Sequence, residues 1–572
     1  MDYNNKTHGA GRRTERTPVL NVKILPLALL ALTQSVYAAD QPTAGSQLQQ
    51  IPVAPRLKQA PPDIRVQQGA TPPAAVGDGT KITVNTVQIS GQLVFTTQAL
   101  IAASGFRPGS ELTLAELRAL AANVAAYFQV RGYFLAQAYL PAQDIRDGAV
   151  TIAVLPGQYG KVTLRNESGV SDSLANTILD GLAGSAIATA PLERRLLLLS
   201  DLPGVQVAST LAPGAAVGSS DLLVDVKPGA RFTGSVDADN QGNRYTGRNR
   251  IGATVNANEL AGWGDVATVR AFTSTDGLNY VRAAYQGQVG LAKIGAAYTH
   301  MDYRLGQEFA VLDASGTAKI ASLYGSYPLL RTRSGSLYAQ VNYDAKKFQD
   351  KADATQSITD KEAKVWMLNV NGDARDGFGG AGVSNYSLTW TCGAFTIRSP
   401  LARLIDQLTV GSEGRFNKVG LQAQRLQALG AGDTALFASI SGQWASKNLD
   451  VSEKMGIGGV GGVRAYPGGE AYGDEGYVVN VELRQTLPAP AVLAGQLQLV
   501  GFADSGTVTL NRNAWSDGPN RKTLSGAGLG LTWNGSNALA VKLFYAHKLG
   551  SVKATSAPDA AGRVWLQAVK YF

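Results

Sequence analysis

Three histidines and one cysteine are the chain's whole stock of imidazole and thiol groups for metal ligation or nucleophilic work. His8 falls near the start, and His300 and His547 stand on separate alternating segments, none at a metal-ligand spacing from another donor. Cys392 is alone, so it forms neither an intrachain disulfide nor a cysteine-based metal site, and it reads as a small apolar residue in a strand. The run Gly456-Ile-Gly458-Gly-Val-Gly461 has the spacing of a dinucleotide loop. It leads into Val463-Arg-Ala-Tyr-Pro467 rather than a helix, and no strand–helix–strand unit surrounds it. Its glycines suit a tightly folded loop instead. There is no phosphate-binding loop and no Gly-x-Ser-x-Gly elbow. These residues point to no enzyme, no cofactor and no metal.

The informative chemistry is polarity that alternates with a period of two. Over Ala435–Ala445, Leu436, Ala438, Ile440 and Trp444 share one face, and Ser439, Ser441 and Gln443 the other. Tyr477–Arg484 sets Val479, Val481 and Leu483 opposite Asn480, Glu482 and Arg484. A strand between lipid and a wet lumen needs that alternation. A soluble sandwich, charged face outward, shows a similar pattern, and the strands alone do not separate the two. From about Ala230 onward such segments are split by turn clusters at intervals of about twenty residues. They number about sixteen, even as in closed bacterial barrels, and strands of about 9–11 residues fit the length. Short periplasmic turns are expected at Asn258–Gly264, Gly287–Lys293 and Asn534–Asn537, and the longest outer loops at 395–413 and 447–475.

Composition agrees with a barrel. Charged residues are 17% of the chain and Gly numbers 65. No run of about 20 apolar residues follows residue 40, which excludes a helical transporter but not a barrel. Of the formal charge of +9, residues 1–38 carry +3 through Lys6, Arg12, Arg13, Arg16 and Lys23 against Asp2 and Glu15. The remaining charge is spread without a basic block, so no nucleic-acid partner is expected. That basic stretch precedes the apolar run Ile24–Leu32 and small residues at Val36-Tyr37-Ala38-Ala39. Residues 1–38 therefore read as a signal peptide, cut after Ala38, with an apolar run too short to serve as an anchor.

Residues 39–79 read as a leader helix and Pro-rich linker, in which Gly45–Ile51 can make one or two helical turns between prolines 42, 52, 55, 61, 62, 72 and 73. Residues 80–157 form one α+β unit. Its strand Lys81–Ser90 and short helix Phe95–Ser104 precede an amphipathic helix, Thr113–Val130, with Leu114, Leu117, Leu120, Val124, Tyr127 and Phe128 at helical spacing. Strands at Phe134–Leu140 and Ala149–Leu155 close it. Residues 158–229 repeat the order with strand Lys161–Arg165, helices Ser171–Leu182 and Pro191–Leu202, and strands Val205–Leu211 and Leu222–Val226. Two units with one element order suggest a duplication. Residues 230–572 are the barrel.

Three places carry a resemblance. Arg131-Gly132-Tyr133-Phe-Leu-Ala-Gln-Ala-Tyr139-Leu-Pro141-Ala-Gln143, followed by Asp147-Gly148, resembles the first POTRA domain of two-partner secretion transporters, the exporters of haemolysins and filamentous haemagglutinins. Val463-Arg464-Ala465-Tyr466 resembles the Val-Arg-Gly-aromatic tetrad in the sixth outer loop of that barrel superfamily, with Ala465 in place of Gly. Phe502-Ala-Asp504-Ser-Gly506 resembles its Phe-x-Asp-x-Gly strand motif. The closing Val564, Leu566, Ala568 and Phe572 match the C-terminal assembly signal of outer-membrane barrels, from which Lys570 departs.

The resemblance implies a transmembrane β-barrel of about sixteen antiparallel strands with two N-terminal POTRA domains in the periplasm. It places the tetrad between strands 11 and 12 and the Asp motif on strand 13, with loop six folded into the lumen and Arg464 paired with Asp504. It also implies that a helix near Gly45–Ile51 plugs the resting pore. The implied partners are a secreted exoprotein (adhesin, cytolysin or contact-dependent toxin), outer-membrane lipid, and the barrel-assembly machinery during biogenesis. An outer-membrane assembly or insertion factor shares the superfamily motifs but commonly carries more POTRA units. A passive porin leaves residues 80–229 without a use.

Overall fold

The computed structural model describes residues 41–55, 63–66, 79–430, 432–488, 490 and 494–572. The expected signal peptide and much of the linker lie outside the described residues. Within the linker, Ala44–Gln49 forms helix α1 and Asp63–Val66 forms strand β1.

The first N-terminal unit runs β2 (Lys81–Val84), β3 (Thr86–Ser90), α2 (Thr97–Ser104), β4 (Ser110–Thr113), α3 (Leu114–Val130), β5 (Gln137–Tyr139) and β6 (Ala149–Leu155). Thr113 and Glu116 form a reciprocal capping box at the start of α3: Thr113 N donates to Glu116 Oε2 at 2.7 Å, and Glu116 N to Thr113 Oγ1 at 3.3 Å. Those bonds to Thr113 hold the Glu116 carboxyl below its ordinary pKa. Leu117, Ala121, Val124 and Phe128 bury one face of α3 against β6, whose Val150, Ile152 and Val154 alternate inward. Leu114 does not join that face; as the first helical residue it is left 38% exposed. The sheet order is β3-β6-β5, with β3 parallel to β6.

The second unit is β7 (Gln158–Asn166), α4 (Asp172–Leu179), α5 (Thr189–Ser200), β8 (Val205–Pro213) and β9 (Ser219–Pro228). Its sheet order is β1-β8-β9-β7, so the linker strand β1 adds itself, parallel, to the edge of β8. Thr189 ties the two units by donating its N–H to Gly132 O at 2.9 Å. The second unit docks on the barrel through Arg331, bidentate to Asp201 at 2.7 and 2.8 Å, and through Arg194, which donates to the carbonyls of Pro328 and Leu329 at 3.0 Å. In the adjoining turn the Glu259 carboxyl is pushed up to about 7, by burial first and by neighbouring Asp265 second.

The barrel is β10 (Phe232–Asp239), β11 (Arg250–Asn258), β12 (Val266–Ser274), β13 (Leu278–Val289), β14 (Ala292–Arg304), β15 (Ala314–Arg331), β16 (Gly335–Ala352), β17 (Ser357–Asp376), β18 (Gly382–Ile397), β19 (Gly414–Ala428) and β20 (Thr434–Ala445). A small ladder within one outer loop, β21 (Met455–Gly456) with β22 (Tyr472–Gly473), comes next. Then follow β23 (Glu475–Leu487), β24 (Gly495–Thr509), β25 (Arg521–Gly535), β26 (Leu539–Lys548) and β27 (Gly562–Tyr571). Sixteen antiparallel strands close on themselves, β27 pairing with β10 from Ser235↔Tyr571 to Asp239↔Gln567. Phe572 extends the seam: it exchanges backbone hydrogen bonds with Gly234 at 2.9 and 3.1 Å, where a Cβ on Gly234 would strike the Phe572 ring.

Leu323, Leu368, Trp390, Leu483 and Leu529 are exposed on the outer wall, as a lipid-facing surface requires. Cys392 shares the outward face of Trp390 in β18, a half-buried small side chain. Lys570, outward near the periplasmic end, donates its ammonium to the Asn537 carbonyl.

Four expectations need correction. The Gly287–Lys293 turn shrinks to residues 290–291, because β13 and β14 stay paired up to Val289↔Ala292 and Gly290 takes a positive φ of 58° that closes a two-residue turn. The Asn534–Asn537 turn likewise moves to residues 536–538, with β25 running through Gly535. Strands β15, β16 and β17 are 18, 18 and 20 residues long, well beyond what the hydrocarbon requires, so this side of the barrel projects outward. The outer loop at 395–413 also holds an unexpected helix, α6 (Pro400–Leu408), whose Ala402 packs on a lumen-facing cluster that includes Val365, Phe395 and Phe416.

Candidate functional site

The long loop between β20 and β23 folds back into the barrel, and its tip lies against the wall. It can turn so sharply because a Cβ at Gly458 would meet Pro467 O at 2.3 Å and one at Gly462 would meet Ile457 O at 2.3 Å. At the tip Val463, Ala465 and Tyr466 are fully buried and Arg464 is 4% exposed.

Arg464 donates to Asp504 through Nε at 2.8 Å and a terminal nitrogen at 2.6 Å, and through its own backbone N–H at 3.1 Å. Its other terminal nitrogen reaches Glu482 at 2.6 Å, and the guanidinium lies 3.6 Å from the centre of the Phe502 ring. Asn480 donates to Asp504 at 2.8 Å and to Gly462 O at 2.8 Å, so the wall carboxylate is also bonded from its own sheet. Glu482 in turn holds Arg484 at 2.7 Å, which balances two cations against two anions. Trp565, on the inner face of β27, donates its indole N–H to Arg464 O at 2.7 Å. Tyr466 donates to Val552 O at 3.0 Å. The Ala465 methyl fits because it rests on Gly526 of β25, where any Cβ would come within 2.4 Å of it. Gly506 leaves room for Ile457, 3.3 Å from where its Cβ would stand.

The arms of the loop are also ionically tied to the lumen wall. Glu453 meets Lys346 at 2.6 Å and Lys418 at 2.9 Å, Asp450 meets Lys361 at 2.9 Å, and Glu470 meets Lys522 at 2.7 Å.

Helix α1 lies in the same lumen. Ala44 N donates to Asp350 at 2.7 Å, Thr246 to Gln47 at 3.0 Å, Arg250 to Gln50 O at 3.1 Å, and Gln49 to Ser452 O at 2.9 Å. Gly45 presses on the loop: a Cβ there would sit 2.9 Å from the Ser452 Cβ. Beside the helix is a cavity of about 360 Å³ lined in part by Leu48, Met367, Thr391 and Lys418. Residues 44–49 carry no charge, so every bond that holds the helix has a neutral group on its side. Such bonds contribute about 0.5–1.5 kcal/mol net, somewhat more where the partner is charged, and are exchanged for water when broken.

The POTRA motif residues divide between support and surface. Gly132 takes φ of 95° to end α3, and Tyr133 packs edge-on against Phe95 and Phe128. Arg131 lies 3.4 Å over the Tyr127 ring. The Gln143 amide splices into β6, donating to Thr151 O at 2.8 Å and accepting from Thr151 N at 2.7 Å, with Pro141 just before it. Tyr139 stands 46% exposed on edge strand β5. Sequence reasoning missed Glu482, which it had only placed on the inner face, and Trp565, for which no signal existed beyond its alternation with Val564 and Leu566.

A family model described as haemolysin secretion/activation protein ShlB/FhaC/HecB matches residues 218–533, and a model described as POTRA domain, ShlB-type, matches residues 82–157. The chain is similar to the heme/hemopexin transporter protein HuxB of Haemophilus influenzae, 28% identical over 536 residues, which covers 91% of this chain and 93% of the relative. It is also similar to the outer membrane transporter CdiB of Dickeya dadantii, 22% identical over 444 residues, with 73% and 74% covered. Among solved structures, CdiB from Escherichia coli has a TM-score of 0.70 at 20% identity, covering 88% of this chain and 93% of its own. BamA from Haemophilus ducreyi lacking POTRA domains 1–3 has a TM-score of 0.51 at 14% identity, covering 86% and 100%, so the barrel fold extends to it. With over half its length matched, the chain belongs to the haemolysin secretion/activation family, outer-membrane barrels that export a partner exoprotein in two-partner secretion.

Proposed function

We propose that export begins with strand exchange at the second POTRA sheet, which releases the plug. The observation that carries this reading is the position of β1: the chain's own linker, only thirteen residues beyond Gln50, occupies the edge of β8 in parallel register from Asp63↔Ala208 to Val66↔Leu211. An extended exoprotein segment that takes this edge displaces β1 and frees the tether of α1. The neutral helix then leaves the lumen without breaking an ion pair of its own. The loop stays fixed to the wall through Arg464, so the conduit opens without losing its shape. Tyr139, on the other accessible edge, supplies a first contact for the exoprotein in the periplasm. Phe572 at the seam serves recognition by the barrel-assembly machinery during biogenesis. The fuller likeness to a heme/hemopexin transporter than to CdiB favours an exoprotein that serves haem capture over a contact-dependent toxin.

The test is Gly45→Val. The added side chain meets Ser452 and its backbone N, so α1 is pushed off its seat. Planar-bilayer recordings are expected to show a several-fold longer open time than the parent protein. An unchanged, mostly closed channel counts against the plug.

A further inference from the structure

We propose that the outer wall over β15–β19 binds the phosphate groups of the glycolipid that forms the outer leaflet. The proposal rests on the outer-membrane location of the barrel and goes beyond export.

Lys319, Lys347, Lys364 and Arg415 are all exposed and alternate with lipid-facing residues of their strands. They sit on neighbouring strands, linked by the register Lys319↔Lys347, Ala345↔Lys364, Lys364↔Ala394 and Ala394↔Arg415. The apolar belt ends just below them, at Leu323, Tyr343, Trp366 and Trp390; the Tyr343 and Trp366 rings pack with centres 4.8 Å apart and planes tilted by 44°. Aromatic rings of this kind mark the level of the headgroups. The cations therefore stand in one contiguous row where the phosphates of the outer leaflet lie.

Three contrasts make the row informative. First, Lys319 and Lys347 are direct cross-strand partners, a like-charge pairing that costs stability unless an anion lies between or beside them. Second, the nearby acids do not neutralise the row: one carboxylate, Glu362, is shared among Arg398, Lys347 and Lys364. Glu362, opposite Lys347, bonds Arg398 at 2.8 Å, and Asp302 accepts from Asn279 at 2.9 Å. At the periplasmic end, by contrast, Arg425 is bidentate to Asp376 at 2.8 Å, and Arg331 is held by Asp201. Third, the first outward cation of β25, exposed Arg521, stands four residues above Ser525, so the belt edge there is uncharged. The outward residues just above the belt on β12, β13 and β25 are neutral: Thr273, Asn279 and Ser525. A general need for solubility would spread cations round the rim; a bound polyanion draws them together. Each cation near a charged lipid surface contributes about fivefold to binding.

The test uses the full mature chain in phosphatidylcholine nanodiscs doped with diphosphoryl lipid A, then moved into detergent for mass spectrometry of the retained lipid. The parent is expected to keep lipid A well above its share in the disc. The variant Lys319→Gln/Lys347→Gln/Lys364→Gln/Arg415→Gln is expected to keep only that share, and monophosphoryl lipid A is expected to be retained less by the parent. Equal enrichment in parent and variant overturns the proposal. So does complete displacement by millimolar inorganic phosphate, which identifies a free-anion site. If the fourfold variant does not assemble, Lys347→Gln alone is read the same way, with about fivefold weaker retention expected. A parent that fails to enter the nanodisc at all counts against the barrel reading instead; one that enters without enrichment counts only against the lipid site.

Discussion

Replacing Arg464 by alanine is expected to lower export of the exoprotein by about tenfold or more, with the barrel still assembled. The guanidinium is shared by Asp504, with no exposed side-chain surface, and Glu482, with 9%. Its loss leaves Asp504 without a cation and Glu482 with Arg484 alone in a largely dry pocket, at a cost on the order of 3–5 kcal/mol. The loop tip then also relies on Tyr466 and on the Trp565 bond to the backbone, neither of which offsets that charge. Lysine should rescue poorly, since a single ammonium cannot reach two carboxylates and stack on Phe502 together. Proteins in the culture medium, compared with a strain lacking the transporter, give the export measure, and heat-modifiable mobility gives the amount of folded barrel. Export within twofold of the parent at equal barrel levels would mean that the tip's anchor has no part in transport.

Deleting residues 81–157 should abolish export, below about one hundredth of the parent level, while leaving a barrel that inserts into membranes. The segment contains the whole β3-β6-β5 sheet with its Tyr139 edge and the α2–α3 pair, and it meets the second unit through Thr189 with Gly132, through Ile187 N on Gly157 O at 2.9 Å, and through Phe134 and Leu135 packed on the second core. The second unit keeps its own core, built from Ile178, Leu192, Leu196, Leu199, Leu222 and Val224. The deletion takes Phe134 and Leu135 from the edge of that core and leaves the rest of it in place, so its chief expected effect is on capture of the exoprotein. A porin with idle appendages would behave oppositely in cells, its role unaffected by the deletion. Persistent export after the deletion would move recognition to the second unit or the barrel.

The barrel was legible in the sequence because lipid and water impose one rule on each strand. Leu436, Ile440 and Trp444 face out as their alternation requires, and Asn480 and Glu482 face in. The rule fails where lipid ends. In the outer half of β17, Asp360, Glu362 and Lys364 replace the apolar face, so the strand's 20 residues could not be read from hydrophobic spacing. Helix α6 had a signal, Leu401, Leu404, Ile405 and Leu408 at helical intervals after Ser399-Pro400, which the expectation of a plain loop obscured. The contact of Arg464 with Asp504 was reachable only through motif resemblance, since 40 residues separate the two and nothing local points from one to the other. Glu482 and Trp565 belong to the same pocket but fit no motif. The compensation of Ala465 by Gly526 is a packing relation between a loop and a strand 61 residues apart, invisible without coordinates.

The central claim is that the exoprotein travels through the lumen, and two adjacent residues on β17 test it. Met367 faces the lumen beside the cavity next to α1, and Leu368 faces lipid. A photo-crosslinking residue at each position, with an exoprotein stalled in transit by a folded C-terminal fusion, reads which face the passing chain meets. Strong adducts at 367 and none at 368 are expected; equal adducts, or adducts at 368 alone, would contradict passage through the barrel.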